Sequence, residues 1–120
     1  MNLSGIWLGT YWQNGNPSRF EMSLVQGNNA LSGSILDDNH LGEAALSGQA
    51  IGRKINFTKT YLSGDRGIIF YMGTLSEDGN FMTGQWQIDV FNSGNWEAHR
   101  SDDNLTLNLD INKGKKVPTS

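Results

Sequence analysis

Phe20, Met22 and Leu24 alternate with Glu21 and Ser23, the two-residue period of a strand with one face on a core and the other in water. The same alternation puts Leu31, Gly33 and Ile35 on one face, then Ile55 with Phe57, then Met82, Gly84, Trp86 and Ile88. Ile68, Ile69, Phe70, Tyr71 and Met72 form a continuous apolar run instead. That run reads as a strand covered on both faces, by a partner subunit or by the C-terminal tail. Glu43-Ala44-Ala45-Leu46 has helical composition, but Gly42 and Gly48 bracket it too closely for more than a turn, and it too reads as strand.

Fifteen glycines and two prolines punctuate the pattern. Clusters such as Asn14-Gly15-Asn16-Pro17, Gly27-Asn28-Asn29, Asp37-Asp38-Asn39-His40, Ser63-Gly64-Asp65, Glu77-Asp78-Gly79-Asn80 and Asn92-Ser93-Gly94-Asn95 offer residues that accept positive φ at low cost and mark turns. Between them the pattern predicts strands over 4–12, 18–26, 30–37, 43–51, 53–61, 66–75, 80–90 and 95–101. Eight short strands with short connections predict an all-β fold, a single eight-stranded antiparallel up-and-down β-barrel, because closure removes the exposed edges. An open sandwich is the structural alternative. The barrel domain is expected over 1–101, with 102–120 a C-terminal strand or flexible tail in which Leu105, Leu107, Leu109 and Ile111 alternate with polar residues. Leu3-Ser4-Gly5, Leu31-Ser32-Gly33, Leu46-Ser47-Gly48 and Met82-Thr83-Gly84 repeat an apolar-hydroxyl-glycine pattern. At equivalent strand positions, such glycines serve the geometry of a narrow barrel rather than chemistry.

A chain of 120 residues supports one domain. With no cysteine, neither a disulfide nor a thiolate metal site contributes. The formal charge is −3, and the one dense basic stretch is Lys113-Gly114-Lys115-Lys116. No nucleic acid partner is therefore expected, since a nucleic-acid groove needs a clustered basic face. The N-terminus has no signal-peptide pattern and no apolar run approaches the roughly 20 residues that cross a bilayer; a soluble cytoplasmic protein with no membrane association is expected.

Catalytic candidates are few. His40 and His99 have no spacing that brings them together, so neither a metal nor another cofactor is expected. The acidic pairs Asp37-Asp38, Glu77-Asp78 and Asp102-Asp103 fall at or beside expected turns, which select Asp for their own hydrogen bonding. They read as solvated turn residues. No Ser-His-Asp arrangement is visible, and the chain does not read as an enzyme.

The richest feature is aromatic: four Trp, three Tyr and five Phe. Trp7, Tyr11, Phe57, Tyr71 and Trp86 are placed to stack a flat ligand inside the barrel, or alternatively to fill its core. Trp12 points opposite to Tyr11 and reads as a surface or interface residue.

The order of motifs resembles the avidin and streptavidin family. Gly5-Ile6-Trp7 is similar to that family's opening strand, Ala30-Leu31-Ser32-Gly33 and Ala45-Leu46-Ser47-Gly48 to two later ones, Ile55-Asn56-Phe57-Thr58-Lys59 to the strand carrying a ligand-facing aromatic before a lysine, and Thr83-Gly84-Gln85-Trp86 to its Thr-Gln-Trp segment. The resemblance implies an eight-stranded barrel, Phe57 and Trp86 as aromatic pocket positions, and Trp96 as a loop tryptophan reaching a neighbouring subunit. It also places Gly9, Ile35 and Asp37 where the family carries polar ligand contacts. The biotin-binding shell is thus not retained.

The residues expected to bind a ligand are Trp7, Tyr11, Ile35, Phe57, Tyr71, Trp86 and Trp96. The function expected is a non-enzymatic binding protein that takes a small apolar or aromatic small-molecule ligand in the mouth of the barrel. The alternatives are a protein-interaction barrel forming a homo-oligomer through the Ile68-to-Met72 strand, Trp96 or the tail, and carbohydrate binding near Tyr11, Asn95 and Trp96.

Overall fold

The computed structural model describes residues 2–39, 41–63 and 67–101. They form eight strands: β1 (Gly5–Gln13), β2 (Asn16–Gly27), β3 (Ala30–Asp37), β4 (Glu43–Ile51), β5 (Lys54–Tyr61), β6 (Ile68–Leu75), β7 (Phe81–Asp89) and β8 (Asn92–Arg100). Each pairs antiparallel with the next, and β8 returns to β1 through the register Trp7↔Arg100 to Tyr11↔Trp96, giving a closed up-and-down barrel. Among the described residues no helix is long and apolar enough to cross a membrane. The tail expectation concerning Leu105 to Ile111, and His40, lie outside the described residues.

Turn chemistry sets several connections. Asn14 and Gly15 join β1 to β2 with φ of 52° and 80°, the two left-handed residues of a hairpin turn whose twist suits the flanking strands. One turn differs from the expected position. The β7–β8 reversal falls at Val90-Phe91, and Asn92 to Asn95 are strand. The Asp89 carboxylate accepts the backbone N–H groups of Phe91 and Asn92 at 2.8 and 3.0 Å, so the turn is closed by its first residue although its central pair is apolar.

Inward parity builds the core. Trp7, Met22, Leu24, Leu31, Ile35, Leu46, Ile55, Met82 and Trp96 are buried within it. The repeated glycines fit this interior. A Cβ on Gly33, Gly48 or Gly84 would stand within about 2 Å of a backbone carbonyl on the neighbouring strand, so the glycine of the apolar-hydroxyl-glycine pattern permits close strand approach. Gly73 leaves room for the Trp96 indole and Gly94 for that of Trp86. Phe57 stacks on Tyr71 at 4.8 Å, and both meet Trp96 edge-on at 5.8 and 5.5 Å. At about 25 cal/mol per Å², each buried tryptophan contributes roughly 4–6 kcal/mol of transfer free energy.

The two barrel ends differ. One end is closed: the Trp7 indole N–H donates to the Leu3 carbonyl at 2.9 Å, and the Arg100 guanidinium sits 4.6 Å from the Trp7 ring centroid. Arg100 also donates to the carbonyls of Gly79 and Asn2 at 3.0 and 2.7 Å. The other end carries the β1–β2, β3–β4, β5–β6 and β7–β8 connections and forms the mouth.

Candidate functional site

Strand parity turns three polar-ended side chains of β3 and β5 into the interior. On β3 the inward positions run Leu31, Gly33, Ile35, Asp37; on β5 they run Ile55, Phe57, Lys59, Tyr61. Asp37 and Lys59 belong to strands separated by β4, so their side chains meet across the lumen. The Lys59 ammonium donates to both carboxylate oxygens of Asp37, at 2.8 and 3.0 Å, and both side chains are fully buried. The reading of Asp37 as a solvated turn residue is thereby corrected: it ends a strand on an inward position.

Tyrosines complete the pair. The hydroxyls of Tyr11 and Tyr61 both donate to Asp37 Oδ2, the former at 3.2 Å, and the Asn39 amide donates to the Tyr11 hydroxyl at 3.0 Å. The Lys59 Nζ lies 4.7, 4.8 and 5.8 Å from the ring centroids of Tyr11, Tyr61 and Tyr71, close enough for the ring faces to stabilise the cation. Burial lowers the Lys59 pKa, and the adjoining Asp37 charge opposes that shift. Burial raises the Tyr61 pKa, reinforced by its hydrogen bond to Asp37. Tyr71 is raised well above the usual value, first by burial and then by the negative charge of Asp37. Both tyrosines therefore keep their protons at neutral pH.

A cavity of about 180 Å³ opens over this cluster at the mouth. Tyr11, Tyr61, Tyr71, Trp86, Leu41 and Ile69 line it, with Gln13 and Ile88 at the rim. The three tyrosines that ring Lys59 are thus also part of the cavity wall, and they separate the ion pair from it. Trp86 meets Tyr11 edge-on at 6.4 Å, its indole N–H held by the Trp12 carbonyl at 3.0 Å.

Of the residues expected to bind a ligand, the structure brings Tyr11, Tyr71 and Trp86 together on this wall. Phe57 and Trp96 lie behind Tyr71 in the aromatic stack. Ile35 is buried core, and Trp7 packs at the closed end. Trp96 stands in β8 rather than in a loop, fully buried, with its N–H donated to the Met72 carbonyl at 3.0 Å. Its inward side chain cannot reach a neighbouring subunit. Asn95 faces outward on the same strand, so Trp96 and Asn95 do not form one sugar-stacking platform. His99 is exposed on β8, and among the described residues no three His, Asp or Glu side chains converge as a metal site would need.

Lys59, Asp37 and Tyr61 are the members that sequence reasoning passed over. The signal was present in the parity that placed Ile55 with Phe57 and Leu31 with Ile35. Continued by two residues, it turns Lys59 and Asp37 inward, and opposite charges on inward positions of one barrel must find each other or remain unpaired. In comparisons with known proteins, no family model and no curated protein matches the chain.

Proposed function

We propose that the protein is a non-catalytic, avidin-like binding barrel that holds a small apolar or aromatic ligand in its mouth. The observation that carries this reading is the aromatic-walled cavity over a sealed ion pair. Concave, mostly apolar sites with a few convergent polar groups are the usual form of small-molecule pockets. The non-catalytic part is supported by the state of the charged groups: Lys59 and Asp37 are spent on each other behind tyrosine rings, and neither is presented to the cavity as nucleophile or base.

The indole N–H resonances of the tryptophans provide the test. Titration with single-ring aromatic compounds is expected to shift the Trp86 resonance, assigned through Trp86→Phe, and to leave that of Trp7 at the closed end in place. No shift with any such compound, or equal shifts at both residues, would overturn the reading. Biotin is expected to give none, since Gly9 and Ile35 supply no side-chain hydrogen bonds to its ureido group.

A second reading, a homo-oligomeric interaction barrel, is favoured by the outward stripe of β6. Ile68, Phe70 and Met72 are 49%, 54% and 54% exposed in the single chain. They are flanked by Thr60, Thr58 and Asn56 of β5 and, beside Phe70 and Met72, by Gln87 and Gln85 of β7. An apolar stripe with an uncharged collar suits a protein interface. In sedimentation velocity, wild-type protein is expected to be oligomeric and Phe70→Glu monomeric; a monomeric wild type removes this reading.

A further inference from the structure

The hydrogen-bonding inventory of the mouth points to the chemistry of its occupant. The Tyr11 and Tyr61 hydroxyl protons are committed to Asp37, and the Tyr11 oxygen already accepts Asn39. The Trp86 N–H is committed to the Trp12 carbonyl. Tyr71 is different. It lines the cavity and is only 2% exposed, yet among the described residues its hydroxyl has no hydrogen-bond partner. Buried hydroxyls are nearly always satisfied, because leaving one unmade is costly. The ring cannot easily turn away, being stacked on Phe57 and held edge-on by Trp96.

Volume and charge narrow the choice. A cavity of about 180 Å³ is close to the roughly 150 Å³ apolar cavity that takes one benzene ring. Among the described residues lining it none is charged, and the ion pair behind the tyrosines is already neutral as a unit. An ionic ligand would lose its hydration there and gain no counter-charge.

Resting on the binding reading above, we infer that the mouth selects a neutral, single-ring ligand bearing a hydrogen-bond acceptor, such as an aryl carbonyl, which receives the Tyr71 hydroxyl proton. A hydrocarbon ring of the same size displaces the water that would serve that hydroxyl and leaves the bond unmade; the acceptor replaces it.

Acetophenone, ethylbenzene and benzoate are the probes, with affinities read from the Trp86 indole resonance. The ratio of acetophenone to ethylbenzene affinity is expected to fall roughly five- to tenfold from wild type to Tyr71→Phe, the worth of one neutral hydrogen bond. Benzoate is expected to bind at least about tenfold more weakly than acetophenone. If none of the three moves the resonance, the binding reading fails and this inference with it. If the neutral probes bind but their ratio is the same in both proteins, the cavity stands and the role of Tyr71 is overturned. Benzoate binding as tight as that of acetophenone overturns neutrality. In the wild-type protein, intermolecular NOEs between the acetophenone methyl and the Tyr71 ring test the same pose without a variant, and their absence overturns it.

Discussion

Replacing Lys59 with Met is expected to destabilise the protein by about 3–5 kcal/mol, because it strands a buried carboxylate. Among the described residues Asp37 would keep only the Tyr11 and Tyr61 hydroxyls as side-chain donors, and its side chain is fully buried. Solvating it would require opening the tyrosine layer over the pair. The double variant Lys59→Met/Asp37→Leu is expected to recover part of that loss, since exchanging a whole buried pair for apolar side chains removes both desolvation penalties at once. Urea unfolding at neutral pH measures both. A single variant within about 1 kcal/mol of wild type, the scale of an exposed pair, would mean that water reaches the cluster.

Above about pH 10.5 the stability is expected to fall steeply. Tyr61 and Tyr71 hold their protons in the folded state well beyond the ordinary value of 10.0, chiefly through burial. Unfolded tyrosines release theirs from about that value upward, so the folded state binds more protons and loses stability as pH rises. Lys59 acts in the opposite sense: its folded pKa lies below 10.5, which adds stability with rising pH, but only until the unfolded lysine has also lost its proton. Beyond that point both tyrosines remove stability as the pH rises, because the unfolded chain has given up protons that the folded one still holds. Urea midpoints across this range, with tyrosinate absorbance followed in parallel, provide the measurement. Tyr71→Phe is expected to make the fall shallower. A flat profile, or tyrosinate forming from these residues before unfolding, would show that the mouth admits hydroxide to the cluster.

These variants and the ligand titrations probe one layer of the molecule from opposite sides. The tyrosines that seal Lys59 and Asp37 from water are the wall that a ring would touch. Loosening that layer by breaking the ion pair is therefore expected to weaken ligand binding as well as folding, whereas Tyr71→Phe removes one hydroxyl and keeps the ring stack.

Much of the fold is written in short-range pattern. The alternation Phe20, Met22, Leu24 and its counterparts, with Asn14-Gly15 and Gly27-Asn28-Asn29 between them, determined eight strands in meander order, because side-chain parity and turn chemistry are properties of neighbouring residues. The glycine repeats pointed to barrel geometry rather than chemistry, and the structure shows that at Gly33, Gly48 and Gly84 this geometry is close approach of the neighbouring strand. Composition also determined that the interior would be aromatic. Only the tertiary structure decided what the interior residues do to one another. Lys59 and Asp37 stand 22 positions apart on non-adjacent strands, and whether they meet depends on how far the closed sheet is sheared and which strand faces which across the lumen. The same closure set Trp96 against Phe57 and Tyr71 and left the Tyr71 hydroxyl beside a cavity with no partner among the described residues, whereas the reversal at Val90-Phe91 is set locally by Asp89. Parity assigns a side chain to a face; barrel closure assigns it a neighbour.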